Sequence, residues 1–339
     1  MARTWILLLL AALAVSACGN SSNPFDGDEA TDDSGGGDDD GSGIDSDREL
    51  PPGTSSPDPD DSIFRREAQN DEGGGYVSGV SYNSGSDTFI VDGLAFDGDN
   101  EYTRVVAPFG SLGGYALYEG AVTYEDTETG NAISQLLHRA IYGVSTSGNT
   151  EFAIARSGGY VPYGFGGFIY QRNGSVTLPT NGQATYSGGY GGLRVFEGSS
   201  GIEYSQGDMT VDIDFEDFNT GAGVKGEITN RRVYAADGTD VTSDITTALD
   251  ATALPTLTFV VEPGVADSNG EISGSVVSYS QNEGVAEDYE TGTYYAILSE
   301  GDKDTVNADE IVGIIVMTSD DPRVDGRVVQ ETGGFILYR

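Results

Sequence analysis

The residues with the clearest chemistry lie close to the start of the chain. They form one short motif: Val15, Ser16, Ala17 and Cys18. A branched apolar residue and two small residues directly before a cysteine are typical of a lipobox, because small residues let a peptidase hold the segment extended. The cysteine sulfur is then joined to a diacylglycerol. We therefore predict that Cys18 is lipidated and that residues 1–17 are a signal peptide.

An ordinary secretory signal with an incidental cysteine is the alternative interpretation. The apolar run over residues 5–15 is shorter than the roughly 20 residues that cross a bilayer. Cys18 is the only cysteine and has no partner for an internal disulfide. A diacylglycerol with an N-acyl chain supplies the two or more chains that stable anchoring needs. An inner-membrane retention signal has Asp directly after the lipidated cysteine. This sequence has Gly19 at that position, which favours the outer membrane.

Catalytic sets of residues are missing from the sequence. The single histidine is His138, and nucleophilic catalysis needs a base beside the nucleophile. We predict that His138 is a half-buried structural residue. A Ser–Lys pair would depend on Lys225 or Lys303, and neither lies in a supporting motif. The sequence therefore predicts a protein that is not an enzyme and has no catalytic residue.

Carboxylates are so abundant that pairs of them carry little information. Asp212, Asp214 and Glu216 alternate with apolar residues, and we interpret them as the solvated face of a strand rather than a glycosidase pair. Oxygen ligands suit calcium best. Residues 302–307 begin like an EF-hand loop but lack its third ligand and its glycine, and residues 97–101 form an ordinary turn sequence. We predict no metal site and no cofactor.

The net charge limits the partners of the protein. Aspartate and glutamate number 55 against 16 lysines and arginines, which gives a formal net charge of −39. Such a chain repels nucleic acid and anionic lipid head groups, so both are poor partners; we predict no nucleic-acid partner and contact with the membrane only through the lipid anchor on Cys18. Residues 18–72 are acidic and rich in Gly, Ser and Pro. Too little apolar surface remains there to offset the entropy of ordering, and we predict a disordered acidic linker.

From residue 73 onward the pattern is that of an all-β protein. Short apolar runs are separated by turn residues, and residues 209–215 alternate strictly between apolar and polar side chains. We predict a smaller β-rich domain over residues 73–164 and a longer β series over residues 165–339. The longer series contains about eight strands, the number at which an antiparallel up-and-down sheet closes into a barrel. For residues 132–142 a helix and a long strand both fit the spacing.

Five glycine-rich or alternating segments of the C-terminal half follow one another in a recognisable order. They are residues 183–188, 209–215, 270–276, 292–297 and 310–313. Together they resemble the barrel of transferrin-binding protein B, which is shared with factor H-binding protein. The resemblance implies an eight-stranded barrel, preceded by a handle domain, on a surface-exposed lipoprotein of a Gram-negative bacterium. No partner-contacting residue of the family can be matched here, so transferrin binding is not carried over.

Five aromatic residues lie close together in the sequence, at the boundary of the two predicted β regions. They are Tyr160, Tyr163, Phe165, Phe168 and Tyr170. Exposed aromatics suit a binding surface, because they supply contact area at low entropic cost. Packing of the barrel against the preceding domain explains the same residues, with neighbouring glycines allowing close approach. We favour packing.

Two functional hypotheses follow. The first is a monomeric, lipid-anchored, non-enzymatic binding protein of the cell envelope. It is exposed on the outer-membrane surface and binds a protein or an iron- or haem-type ligand. The second is a structural or adhesion lipoprotein of the envelope whose acidic surface depends on calcium. A periplasm-facing orientation is the alternative to surface exposure. No ligand-binding residue can be assigned from the sequence.

Overall fold

The computed structural model describes residues 50–106, 110–159, 162–282, 284–302 and 307–339. Within these residues the fold is nearly all-β, as predicted, and its strands form a curled eight-stranded sheet, a closed eight-stranded barrel and a two-stranded ribbon. We call the curled sheet the handle. All described residues belong to one compact unit.

The handle and the ribbon are built from short strands. They are β1 (Ile63–Arg66), β2 (Gly79–Asn83), β3 (Thr88–Asp92), β4 (Glu101–Arg104), β5 (Ala116–Gly120), β6 (Thr123–Glu125), β7 (Ala132–Ser134), β8 (His138–Val144), β9 (Thr150–Ser157) and β10 (Gly166–Arg172). Strands β6 and β7 form the ribbon. The other eight are antiparallel neighbours in the order β1-β10-β9-β8-β5-β4-β3-β2, so β1 and β2 are the two edges of the handle.

The inner face of the handle is apolar because alternate residues of its strands point toward it. Phe89 and Tyr118 are buried there together with small side chains such as Ala153. Phe64 of β1 and Val80 of β2 are half-buried and pack against the same core. The sheet therefore curls until its two edge strands approach each other.

The barrel is built from longer strands. They are β11 (Gln183–Phe196), β12 (Ser199–Asp214), β13 (Val224–Ala235), β14 (Leu257–Phe259), β15 (Glu271–Asn282), β16 (Val285–Ser299), β17 (Glu310–Asp320) and β18 (Val328–Tyr338). Each strand pairs antiparallel with the next along the chain, and β11 pairs with β18 to close the sheet. The predicted up-and-down barrel of eight strands is confirmed.

A short helix, α1 (Thr242–Ala248), lies between β13 and β14. In the part of the chain that the structure describes, no helix combines the length and the hydropathy that crossing a membrane requires.

One end of the barrel interior is filled by apolar side chains. On β12, Met209, Val211 and Ile213 alternate with more exposed residues and point inward. They share a buried cluster with Tyr186 of β11 and Ile315 of β17. Strict alternation of this kind buries one face of each strand, and the interior of an eight-stranded barrel is just wide enough for side chains to fill.

The outer face of the handle packs against the outer face of the barrel. Phe152 and Ile154 of β9 lie in one buried cluster with Leu193 of β11 and Ile336 of β18. A Cβ atom on Gly334 would lie 2.2 Å from the ring of Phe152, so the ring requires glycine at this position. Handle and barrel are therefore in close apolar contact along several strands.

Buried arginines add charge-assisted hydrogen bonds to this interface. Arg65 of β1 donates to both carboxylate oxygens of Glu271 in β15, at 2.7 Å each. Arg156 of β9 donates to Glu67 and to Thr332 of β18, at 2.9 Å each. Bidentate and charge-assisted contacts of this kind fix geometry as well as contributing energy.

Two predicted boundaries differ from the structure. The predicted disordered linker extends to residue 72, whereas Ile63–Arg66 forms β1, with Ile63 completely buried. Two apolar residues in an acidic stretch are a weak signal, and their burial depends on pairing with β10, about a hundred residues away. The predicted barrel domain begins at residue 165, whereas β10 pairs with β9 and β1 and so belongs to the handle.

The helical alternative for residues 132–142 is wrong, because this segment contains β7 and the first part of β8. Ala140 belongs to the inner core of the handle, and Ile141 belongs to the interface with the barrel. A strand buried on both faces loses the alternation that identifies strands in a sequence.

Candidate functional site

The predicted lipid anchor lies outside the described residues, as do Val15, Ser16, Ala17 and Cys18 themselves. The first described residues run beside β1, where the Arg66 N–H donates to Pro52 O at 2.9 Å and the Thr54 N–H donates to Phe64 O at 3.0 Å. Strand β1 also carries Arg65, which is paired with Glu271 of the barrel. Residues 52–54 are therefore hydrogen-bonded to a strand that contacts both the handle and the barrel.

His138 has no catalytic surroundings. Its side chain is completely buried rather than half-buried, its Nδ1 lies 3.2 Å from Leu136 O, and its Nε2 has no hydrogen-bond partner among the described residues. Burial lowers the pKa of His138 to about 4. A completely buried imidazole that stays neutral at physiological pH is consistent with the predicted structural role.

The three acidic residues at the end of β12 lie on its solvated face, as predicted. The Asp212 carboxylate accepts hydrogen bonds from Thr185 at 2.7 Å and from Lys225 at 3.2 Å, and its side chain is 43% exposed. Gln183 donates to Asp214 at 2.8 Å. Glu216 is exposed. These are cross-strand surface pairs, which contribute little to stability and present no pair of convergent acids.

The turn at residues 97–101 contains a buried carboxyl group. Asp97 is 3% exposed, and burial raises its pKa. Tyr102 donates to it at 3.4 Å. Across the described ranges, no group of three or more His, Cys, Asp or Glu side chains is placed to hold a metal ion. Residues 303–306 of the segment that begins like an EF-hand lie outside those ranges.

The aromatic residues between the two β regions serve packing. Tyr163, Phe168 and Tyr170 are buried. Phe168 of the handle stacks on Tyr295 of the barrel with ring centroids 6.3 Å apart, and Phe165 meets Tyr76 edge-on at 5.0 Å. The packing interpretation is therefore confirmed for the described members of the set, and Tyr160 lies outside the described residues.

Sequence reasoning missed a cluster of charged side chains inside the barrel. The cluster occupies the interior beyond the apolar end, and its members come from six strands. We call it the ionic core: Tyr190, Arg194, Ser205, Arg231, Ser278, Glu290 and Glu331. No motif indicates it, because the strands bring residues together that are far apart in the chain.

Arg231 and Glu290 form the centre of the ionic core. The two guanidinium nitrogens of Arg231 donate to the two carboxylate oxygens of Glu290, at 2.5 and 2.7 Å. Ser278 also donates to Glu290, at 2.7 Å. Burial alone would raise the pKa of Glu290, but the charge and hydrogen bonds of Arg231 outweigh burial, and the net shift is downward. The pair is held ionised by its own geometry.

Glu331 connects the remaining members. Its Oε1 accepts hydrogen bonds from Tyr190 at 2.7 Å and from Ser205 at 2.6 Å. Its Oε2 lies 3.5 Å from Arg194 Nε and 3.7 Å from Arg231 Nη2. Burial raises the pKa of Tyr190 well above its ordinary value, and the nearby Glu331 charge raises it further. The phenol therefore remains a hydrogen-bond donor at all physiological pH values.

A second charged group caps the same end of the barrel. Arg323 donates to both oxygens of Glu203, at 2.7 and 3.0 Å. Asp321 accepts hydrogen bonds from Arg323 Nε and Arg327 Nε, at 2.8 Å each. Arginines and carboxylates are equal in number across this cap and the ionic core. The positive and negative charges therefore balance in number, although Arg194 Nε and Glu331 Oε2 have no hydrogen-bond partner among the described residues.

Burial of arginine leaves the surface almost purely anionic. Six arginines of the handle and barrel are buried: Arg65, Arg139, Arg156, Arg172, Arg194 and Arg231. Among the described residues only three basic side chains are exposed, Arg66, Lys225 and Arg232, against 25 exposed aspartates and glutamates. Most of the described arginines are thus buried or half-buried, while the excess of carboxylates is exposed, and the outer field of the molecule attracts cations.

Comparisons with known proteins return structures and no sequence families. No family model matches the sequence, and no curated protein matches it. The structure is similar to that of transferrin-binding protein B from Haemophilus parasuis Hp5, in a double mutant, with 12% identity and a TM-score of 0.36 over 75% of this chain and 41% of that chain. Intact Ap-TbpB with N and C lobes matches with 12% identity and a TM-score of 0.34, over 82% and 46%.

A third match is a protein of unknown function from the DUF3598 family of Nostoc punctiforme, with 10% identity and a TM-score of 0.22 over 82% of this chain and 88% of that one. The chain spans less than half the length of the transferrin-binding protein B structures it matches. Transferrin-binding protein B, whose barrel the sequence resembles, is thus among the solved structures that this chain matches.

Proposed function

We propose that the protein is a lipid-anchored, non-enzymatic binding protein of the outer-membrane surface that presents a rigid anionic β body to a partner carrying positive charge. A basic surface of another protein is the partner class that this body suits best. An iron- or haem-bearing ligand is compatible where the ligand or its carrier is cationic.

The observation that carries this proposal is the separation of charge between interior and surface. Six arginines lie buried, while exposed carboxylates greatly outnumber exposed cations in the described chain. Such a surface repels nucleic acid and anionic head groups, and it speeds encounter with a basic partner. The lipobox at Cys18 supports membrane attachment, and attachment beside β1 supports display of the whole body.

Attachment and exposure are tested in cells that make the full chain. The wild-type protein is expected to take up labelled fatty acid, and Cys18→Ser is expected to abolish labelling. Protease treatment of intact cells is expected to degrade the residues beyond 72, with a periplasmic protein as the control for intact membranes. Protection until the outer membrane is opened would contradict surface exposure and favour the periplasm-facing alternative.

Partner binding is tested by capture at micromolar concentration of the chain from Gly19 onward. We expect a basic protein to be retained at physiological salt and released near 1 M salt, where the screening length falls to about 3 Å. Capture of nothing, or capture that resists salt, would contradict the proposal. A large rise in melting temperature with millimolar calcium would instead favour the calcium-dependent structural alternative.

A further inference from the structure

The handle contains a cavity where its curled sheet stops short of closing. The cavity has a volume of about 190 Å³, and its lining comes from five strands. Phe64 and Val80 belong to the edge strands β1 and β2, while Tyr142, Ala153 and Ile169 belong to β8, β9 and β10. The cavity thus lies in the gap between the two edges, with the middle of the sheet as its floor.

The size and lining of this cavity suit a small apolar group. A cavity of about 150 Å³ with apolar walls is large enough to bind benzene. Here Ala153 and Ile169 are almost completely buried, and Phe64, Val80 and Tyr142 are half-buried. The alanine is important because a larger residue at this position would fill the space. The cavity therefore has room for one ring or a short aliphatic chain.

The carboxylate of Glu151 lies in the wall of the cavity, and all its side-chain hydrogen bonds among the described residues come from neutral donors. Glu151 accepts hydrogen bonds from Tyr142 at 2.7 Å, from Gln171 at 3.2 Å and from Asn173 at 2.6 Å. Within the described residues it forms no ion pair, in contrast to the carboxylates of the ionic core. A half-buried carboxylate whose charge is not balanced favours a cation placed beside it.

The ring of Tyr142 in the cavity wall favours the same charge. Tyr142 forms ring contacts with Phe89 at 5.2 Å and with Tyr82 at 5.5 Å, and Phe89 stacks on Tyr118 at 5.3 Å. The face of an aromatic ring attracts an ammonium group within about 6 Å. Tyr142 is both a member of this aromatic cluster and part of the cavity wall, so ring and carboxylate converge on one place.

We propose that this cavity binds a small organic cation, namely a primary ammonium group carrying an apolar body about as large as benzene. The apolar body lies between Phe64, Val80 and Ile169, and the ammonium group lies against Glu151 and the ring of Tyr142. The site is independent of the surface partner proposed above, because it needs only the handle.

The probe is phenethylamine at neutral pH, titrated into the full chain by calorimetry and by NMR. 2-Phenylethanol, which has the same apolar body and no charge, is the matched ligand. We expect the alcohol to bind about tenfold more weakly, because its hydroxyl is a neutral donor and lacks the positive charge that Glu151 attracts. Equal binding of amine and alcohol, or no binding of the amine at millimolar concentration, would overturn the proposal.

Two variants and a control locate the site. Glu151→Gln keeps the shape of the side chain and is expected to reduce amine affinity about tenfold while leaving alcohol affinity unchanged. Ala153→Leu is expected to abolish binding of both ligands by filling the cavity, with its fold checked by circular dichroism. Glu128→Gln alters an exposed carboxylate in the ribbon turn and is expected to change nothing. An equal loss in Glu128→Gln would show that only the general surface charge attracts the amine and would overturn the proposal.

Discussion

Handle and barrel each contain eight antiparallel strands, yet only the barrel closes. Seven of the barrel strands span 11–16 residues, whereas the handle strands span 4–8. In the barrel the first strand, β11, pairs with the last, β18, whereas in the handle β1 and β2 remain unpaired edges. The comparison teaches that equal strand number does not by itself decide whether a sheet removes its edges or keeps them.

Closure also decides what each interior can contain. The closed barrel excludes water, and its ionic core balances each carboxylate with arginine, as Glu290 and Arg231 show. The open handle leaves Glu151 beside a gap that solvent reaches, and this carboxylate needs no arginine. Buried charges must be paired, whereas partly solvated ones need not be. The predictions below test this difference.

The largest effect is expected from removing a charge from the closed interior. Arg231→Met leaves Glu290 and Glu331 unbalanced, and we expect a loss of about 3–5 kcal/mol in the free energy of unfolding, measured with urea. The double variant Arg231→Met/Glu290→Leu is expected to recover part of this loss, because both charges are gone. Arg232→Met, at an adjacent exposed position, is expected to stay within about 0.5 kcal/mol. Similar losses at positions 231 and 232 would contradict the pairing argument.

A smaller effect is expected from crowding the same interior without changing its charge. A Cβ atom on Gly333 of β18 would lie 2.1 Å from the hydroxyl oxygen of Tyr190. We expect Gly333→Ala to lower the free energy of unfolding by about 1–3 kcal/mol through overpacking. Gly174→Ala is the matched control, since no atom lies within 4 Å of the added methyl. A barrel that tolerates Gly333→Ala as well as the control would have a looser interior than the structure indicates.

The contact between handle and barrel is expected to respond to pH. Glu310 of β17 accepts hydrogen bonds from Ser147 and Thr150 of the handle, at 2.9 and 3.2 Å, and pairs with no cation among the described residues. Burial raises its pKa above the ordinary 4.5, and the nearby Asp309 adds to the rise. The folded state therefore binds the Glu310 proton more tightly than the unfolded state does. This contribution to the free energy of unfolding is complete below pH 4.5 and is lost as the pH rises through the raised pKa of Glu310.

Glu310→Gln tests this sign directly. The amide keeps an acceptor oxygen and removes the charge, so we expect a higher melting temperature than wild type at neutral pH. The difference should disappear below pH 4.5, the ordinary value of the group. Glu227→Gln, at an exposed position on β13, is the matched control, and a gain in melting temperature as large as that of Glu310→Gln would show that burial is not required. An advantage of Glu310→Gln that is the same at both pH values would argue against titration of this carboxyl.

The smallest effect concerns local opening rather than global stability. Strand β2 has one hydrogen-bonded neighbour and is half or fully exposed along its length, whereas β12 is paired on both sides. We expect amide hydrogen exchange, followed by mass spectrometry, to be faster in residues 79–83 than in residues 199–214. Equal protection of the two strands would mean that the edge of the handle is covered in solution.

The sequence predicted the architecture where one face of a strand is apolar and the other polar. β12 shows both the success and its limit. Residues 209–213 alternate cleanly and lie at the apolar end of the barrel. The alternation keeps the same phase before residue 208, but its polarity is reversed: the apolar Tyr204 faces the handle, while the polar Ser205 and Glu203 are buried on the inward side. Polarity there no longer reports exposure, so the pattern could not predict the first half of the strand.

The candidate sites could not be predicted because their members meet only in the folded chain. Phe64, Val80, Tyr142 and Glu151 come from four strands and share no motif. Arg231 and Glu290 are 59 residues apart. An abundance of acidic residues also conceals the few carboxylates that are buried. The lipobox, by contrast, is a local motif and can be recognised without the fold. Lipidation of Cys18 remains a prediction, because this residue lies outside the described residues.

The pairing of β11 with β18 has a consequence for the rate at which the protein folds. More than a hundred residues separate the two strands, so closure of the barrel joins distant parts of the chain. Folding of small domains slows as the mean sequence separation of their contacts increases. Until β18 arrives, β11 offers an unpaired edge of 14 residues on which another chain can add. We therefore expect barrel formation to be slow, and the edge of β11 to stay exposed to other chains until β18 pairs with it.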